Sequence, residues 1–251
     1  MVAPKTDCVE TCKTVGHALE RQFLDANQQA AFRDEVERLI ARRTTDGEPM
    51  YFFEETPDGA RRLIRAERIW EALPTLSQGP VGKALFDIAR SYFGTEARIF
   101  KDKVNVRHAG SKGYAPHQDS AAGWDAFAQR FLSIGLFLNP STPERGGFEV
   151  VDKAHRLGRL DNDKGKMSME LFNSFRPYGI EADAGDIILL DSEAPHRTYD
   201  NTSSHDSLHL LVTFAADPKI DLRTAYYEKK ASEFQGDRGK NEFKFRVFEF
   251  E

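Results

Sequence analysis

The sequence predicts a mainly β domain with flanking helices: a double-sheeted barrel of the jelly-roll type buttressed by N-terminal helices. Three observations predict it. From residue 97 onward the chain breaks into short β-type runs separated by turn residues. Before that point the apolar residues fall at helical rather than alternating spacing. At 251 residues the chain suits a single domain with ample length for a large core.

Taken in order, residues 1–16 are expected to form a flexible leader in which Cys8 and Cys12 are free thiols. A helix is expected from Asp25, because Asp25-x-x-Gln28 matches a capping box and Phe32, Val36, Leu39 and Ile40 follow at helical spacing. Residues 43–60 are polar and punctuated by Gly and Pro, as a loop would be. Arg61, Arg62, Arg65 and Arg68 follow in what is expected to be a helical turn, a solvated face rather than an anion grip. Pro80 suits the first turn of a second helix over 80–93, with Leu85, Ile88 and Tyr92 on one side. Strands are expected at 97–107, 130–138, 147–151, 179–181, 186–191 and 208–214. The barrel core is therefore set at 97–216 and a C-terminal extension at 217–251, whose tail 243–250 alternates aromatics with charges as an edge strand or partner surface would.

Lys plus Arg total 35 against 40 Asp plus Glu, a formal charge of −5, which argues against nucleic acid or an anionic membrane as principal partner. No apolar run resembles a signal peptide or a membrane span, so a cytoplasmic protein is expected. The composition sets no oligomeric state. Nucleophile-elbow, P-loop and dinucleotide signatures are absent from the sequence.

The chemistry centres on His117-Gln118-Asp119 and the distant His196. Two imidazoles and one carboxylate are the ligand set that holds ferrous iron on one face of an octahedron, leaving the other face open for oxygen and a second reactant. On a strand, a His-x-Asp points both side chains the same way, because side chains alternate with period two. An apolar run from Gly185-Asp186 is expected to deliver His196 at its end to the barrel mouth. Singly, His117 and Asp119 read as well as a hydrogen-bonded structural pair, and His196 as a core histidine. Trp124 reads equally as pocket wall or core, and His155 equally as loop residue or substrate contact. His17, His108 and His205 read as surface residues, and Tyr226 and Tyr227 as packing.

Several blocks give these residues a context. They are Lys103-Val104-Asn105, His117-Gln118-Asp119, Ala122-Gly123-Trp124, Gly146-Gly147-Phe148-Glu149-Val150-Val151, Lys153-Ala154-His155-Arg156, the run from Gly185-Asp186 through His196, Asn201-Thr202-Ser203 and Tyr226-Tyr227-Glu228-Lys229-Lys230. In order and spacing they resemble the phytanoyl-CoA dioxygenase family of Fe(II)- and 2-oxoglutarate-dependent oxygenases, over about residues 20–233. The resemblance implies a double-stranded β-helix of cupin-like type and iron held by His117, Asp119 and His196. It also implies 2-oxoglutarate chelated through its keto-acid end, O2 as oxidant, and C–H oxidation of a small-molecule metabolite by hydroxylation, desaturation, ring closure or epimerisation. The carboxylate of Asp119 argues against the halogenating subgroup.

One departure stands out. Family members usually carry an Arg about eleven residues after the second His, paired with the distal carboxylate of 2-oxoglutarate; here Ser204-His205-Asp206-Ser207-Leu208-His209 contains neither Arg nor Lys. A guanidinium fork is the favoured partner of a buried carboxylate. Ser207 and His209 share the inward parity of the missing Arg, Lys103 and Arg107 lie on an earlier strand, and Arg197 neighbours a ligand but points the other way. The gap leaves three possibilities: 2-oxoglutarate held differently, another keto acid used, or an iron oxygenase that needs no keto acid. A jelly-roll binding protein without catalysis is the alternative of a different class.

Overall fold

The computed structural model describes residues 6–42, 49–56, 59–216, 221–234, 236–237 and 242–244. It is a two-sheet β barrel with helices packed on one outer face. The larger sheet runs β1 (His17–Glu20), β8 (Ile187–Asp191), β5 (Phe131–Phe137), β10 (Ser207–Ala216), β4 (Ala97–Arg107), β3 (Arg61–Glu67), β2 (Met50–Glu55), β12 (Glu242–Lys244) and β11 (Gly236–Asp237). The smaller runs β7 (Tyr178–Gly179), β6 (Phe148–Val150) and β9 (His196–Thr198). An isolated antiparallel bridge, His117 to His196, adds a fourth segment to the smaller sheet.

Alternation along the central strands divides the core in two. Leu208, Leu210, Val212 and Phe214 of β10 face the helices, in one cluster with Phe32 and Val36 of α2 (Ala26–Arg42) and Leu85 and Ile88 of α4 (Pro80–Phe93). His209 and Leu211 face the barrel interior instead. Both sides of β5 and β10 are covered, so both strands are buried almost end to end and their sequences are mostly apolar.

The expected helices form where their caps place them. Asp25 and Gln28 make the reciprocal cap, Gln28 N–H donating to Asp25 Oδ1 at 2.9 Å and Asp25 N–H to Gln28 Oε1 at 3.1 Å. Pro80 starts α4, and Gly94 ends it in the left-handed region at φ 71°.

Four expectations need correction. The leader is not flexible from Thr6 onward: α1 (Thr6–Val15) buries Cys8, Val9 and Cys12, cysteine acting as a small apolar residue. Both thiols are free, and burial beside Asp191 pushes that of Cys12 far up, so it is inert. Within the expected 43–60 loop, Met50-Tyr51-Phe52-Phe53 is a buried strand. The arginine run is strand β3 rather than a helical turn, which turns Arg65 inward, with 5% exposure, while Arg61 stays at the surface. Finally, the apolar run before His196 stops at Asp191, and His196 opens a separate strand in the other sheet. Of the expected tail strand, Phe243 and Lys244 lie in β12, and residues 245–250 lie outside the described residues.

The cap supplies a direct check. Asp25→Ala removes one partner of the reciprocal cap and is expected to lower unfolding free energy by about 1 kcal/mol. Urea denaturation should show a lower midpoint with an unchanged slope.

Candidate metal centre

The bridge between His117 and His196 builds the site. His117 N–H donates to His196 O at 2.9 Å, and His196 N–H returns to His117 O at 3.0 Å. The two rings come to rest 4.4 Å apart, centroid to centroid. In each ring Nδ1–H donates to the carbonyl two residues earlier, His117 to Ala115 at 2.7 Å and His196 to Ala194 at 3.0 Å. That fixes the tautomer and leaves each Nε2 lone pair for the cavity.

Asp119 arrives differently from the strand geometry expected. Gln118 is extended, at φ −103° and ψ 133°, but Asp119 opens a short 3-10 turn, Asp119–Ala122. Its Oδ1 lies 3.8 Å from His117 Nε2, and ligand atoms of all three residues lie within 4.8 Å of one another. Ser133 Oγ donates to Asp119 Oδ2 at 2.8 Å and accepts from Thr213 at 2.9 Å, which leaves Oδ1 for a cation. Burial alone would raise the Asp119 pKa, but His196, His117 and Lys103 hold it down to about 2. Burial, with His196 next to it, lowers His117 to about 3, so the ring is neutral and basic toward a metal.

Gln118 has a role that the sequence did not suggest. Its Nε2 donates to Gly158 O and Glu193 O, both at 2.8 Å, and its Oε1 accepts from Leu160 N–H at 2.8 Å. The residue between two of the three site side chains thus ties their segment to the turn leading into His196.

The three side chains open on a cavity of about 530 Å³, within the range of small-molecule sites. One wall is the inner face of β4, where Lys101, Lys103 and Asn105 line the space at alternate positions. Arg65 of β3 sits beside Asn105, donating to its Oδ1 at 3.0 Å, to Glu67 at 3.2 Å and to Tyr114 at 2.8 Å. Helix α6 (Leu222–Glu233) contributes Tyr226 and Lys230, and Lys230 Nζ holds both oxygens of Glu67 at 2.7 Å. Burial pulls the Lys230 ammonium down to about 7 against the pull of Glu67. Burial, with Lys101 and Arg65 alongside, pushes Lys103 well below the lysine range. Lys103 has no hydrogen-bond or ion-pair partner among the described residues.

Other expected residues separate clearly. His209 is 2% exposed and lines the cavity, its ring stacked at 5.7 Å on Phe148; burial, then Arg107, lowers it to about 3, so it is a neutral donor. Ser207 is buried at the end of β10 and does not reach the cavity. Arg197 points out of it, paired with Glu149 and stacked over Tyr199 at 5.0 Å. Trp124 is both core and cavity wall, with Lys101 Nζ 5.3 Å from its ring. His155 lies outside the cavity and bonds Lys13 O at 3.2 Å. His17 is not a surface residue: it is 5% exposed and bonded to Asp152 at 3.0 Å. Tyr226 lines the cavity, whereas Tyr227 is packing, its hydroxyl donating to Asp102 O at 2.8 Å. Arg65, Lys101 and Lys230 were missed as a group; the inward parity of Lys101 with Lys103 was the available signal.

No described helix is long and apolar enough to cross a membrane. The model of the phytanoyl-CoA dioxygenase (PhyH) family matches residues 13–207. A methylphosphonate hydroxylase from Gimesia maris is 29% identical over 214 residues, covering 85% of this chain and 81% of that protein. A 2-aminoethylphosphonate dioxygenase from an uncultured bacterium is 24% identical over 215 residues, 84% of this chain and 82% of that one. Among solved structures, EctD from S. alaskensis with 2-oxoglutarate and 5-hydroxyectoine superposes with a TM-score of 0.72 at 17% identity, covering 86% of this chain and 77% of that one. With a jelly-roll barrel and a His-Asp-His cluster in its mouth, the chain belongs to the phytanoyl-CoA dioxygenase family of Fe(II)- and 2-oxoglutarate-dependent oxygenases.

Proposed function

We propose that His117, Asp119 and His196 hold the ferrous ion and that the enzyme hydroxylates a small anionic molecule of the phosphonate class. The donor set fits iron: two imidazoles present Nε2, one carboxylate presents an unshared oxygen, and the cavity leaves the remaining directions open. Bound there, iron supplies the activation of O2 that couples 2-oxoglutarate decarboxylation to C–H oxidation. The protein does the rest. Nδ1 hydrogen bonds fix the imidazoles, Ser133 fixes the carboxylate, and Phe148, Leu211, Trp124 and Phe127 line the cavity with apolar surface that excludes water.

The observation that carries the substrate class is the charge of the cavity wall. Arg65, Lys101, Lys103 and Lys230 line it, with Glu67 as the carboxylate bonded to Arg65 and Lys230. Excess buried cations attract an anion and are destabilised without one. Arg65 is committed to Asn105, Glu67 and Tyr114, so it adds charge, whereas the Lys101 ammonium is placed to donate. Ammonium groups act as point charges and suit a tetrahedral oxyanion. The names of the two phosphonate-acting relatives support the same class.

Protein reconstituted anaerobically with Fe(II) and then supplied with O2, 2-oxoglutarate and methylphosphonate or 2-aminoethylphosphonate is expected to release succinate in step with substrate loss. His196→Ala should cost more than about 100-fold in turnover and in iron affinity, since even outer hydrogen-bond partners of ligands are worth 10–100-fold. Unchanged turnover in that variant sinks the assignment. Lys101→Met is expected to weaken phosphonate binding about 10–100-fold, the loss of one charge-assisted hydrogen bond, with iron content unaltered; equal affinity would remove the anionic class. A pH profile tests the buried imidazole. His209 titrates at about 3 in the fold and about 6.5 unfolded. Below about 6.5 the unfolded chain takes up a proton that the fold refuses, so stability falls on acidification. His209→Gln should lose less melting temperature between pH of about 7 and about 5 than the native protein.

A further inference from the structure

Arg107 is a buried guanidinium with no carboxylate in ion-pair range among the described residues. It is 3% exposed and projects from β4 on the same face as Lys101, Lys103 and Asn105. Its side chain crosses the barrel to the smaller sheet, Nη1 donating to Thr198 Oγ1 and Nη2 to Tyr199 O, both at 2.9 Å. Room for this crossing depends on Gly146, at φ 74°, where a Cβ would stand 3.1 Å from Arg107 Nη2. Of its remaining N–H groups, that of Nε is buried with no partner among the described residues. Buried Arg65 and half-buried Arg223 differ: the first meets Glu67 at 3.2 Å and the second Asp102 at 2.7 Å.

The neighbours of Arg107 are unsatisfied as well. Ser207 is its direct cross-strand partner in the β10–β4 ladder, and Ser207 Oγ has no partner among the described residues. Two residues on, His209 leaves Nε2 without one. Three orphaned polar atoms thus share one end of the barrel, and each costs about 1–3 kcal/mol when buried unpaired. Thr198 and His209 both line the cavity, so this end is reached from it. Phe148 spans the interval to the candidate metal ligands, its ring 5.7 Å from His209 and 6.2 Å from His196.

We propose that Arg107, with Thr198 and His209, takes the distal carboxylate of 2-oxoglutarate, the guanidinium arriving across the ladder from β4 because Ser207 occupies the facing position on β10. This rests on the 2-oxoglutarate-dependent reading above. The carboxylate supplies the missing counter-charge and acceptors for the orphaned donors. It also separates the two anions of the reaction: cosubstrate toward Arg107, substrate toward Lys101 and Lys230.

The test is calorimetric titration of the anaerobic Fe(II) protein with 2-oxoglutarate and with 2-oxobutyrate, which keeps the keto-acid end and lacks the distal carboxylate. In Arg107→Met, 2-oxoglutarate is expected to bind at least about tenfold more weakly while 2-oxobutyrate stays within about twofold. Equal loss for both ligands, or loss for neither, overturns the assignment. The double variant Arg107→Ser with Ser207→Arg returns the guanidinium from the opposite strand. It should recover 2-oxoglutarate affinity to within about threefold of the native protein, and a loss of about tenfold or more counts against the proposal. That variant carries the test alone if Arg107→Met does not fold. Iron content of the native protein, measured on the same samples, reports on the oxygenase reading separately: native protein without iron sinks that reading, whereas native protein with iron and an indifferent Arg107→Met sinks only this one.

Discussion

Two backbone hydrogen bonds between His117 and His196 are the constraint on which the site depends. Side chains of an antiparallel pair lie on the same face, so the bridge alone sets the two imidazoles side by side. Everything else at the centre adjusts around it. Backbone carbonyls orient each ring, the 3-10 turn swings Asp119 toward them, and Gln118 ties the turn before His196 to the loop at Gly158 and Leu160. The site is therefore built from segments stitched together by hydrogen bonds to backbone groups, which hold position better than side-chain packing.

Charge is the second organising element. Burying ionised groups is costly unless each meets an opposite charge or strong hydrogen bonds. Asp102 meets Arg223 together with the N–H groups of Ile69 and Trp70, and Glu67 meets Lys230 and Arg65. These pairs fasten α6 to the inner strands β3 and β4, so the C-terminal helix belongs to the cavity rather than lying beyond it. Among the described residues Arg107 meets no carboxylate and Lys103 no polar partner, and both face the cavity side of the sheet. That charge pattern suits the two anionic ligands proposed above.

Much of this was legible in the residues. The α2 cap, the extent of α4 and the extent of β4 follow from local chemistry: a reciprocal cap, a proline at the start with a glycine after the end, and an uninterrupted β-type run. The three site residues were legible because their types and order match a known arrangement. Misread were segments whose local signal contradicts their surroundings. A run of arginines looks solvated until β3 is placed against β4 and turns Arg65 inward. A leader with two cysteines looks loose until α1 is packed into the helical layer.

The sequence by itself determined the elements with a strong local signal (α2, α4 and β4), the barrel class and three candidate metal-holding side chains, because propensity, capping and ligand identity are local properties. The tertiary structure decided which polar side chains meet. Register puts Arg107 opposite Ser207, α6 brings Lys230 to Glu67, and strand β9 places His196 in the sheet facing β4. Those pairings join residues up to 163 positions apart, and only the energetics of closing two sheets over one interior selects them.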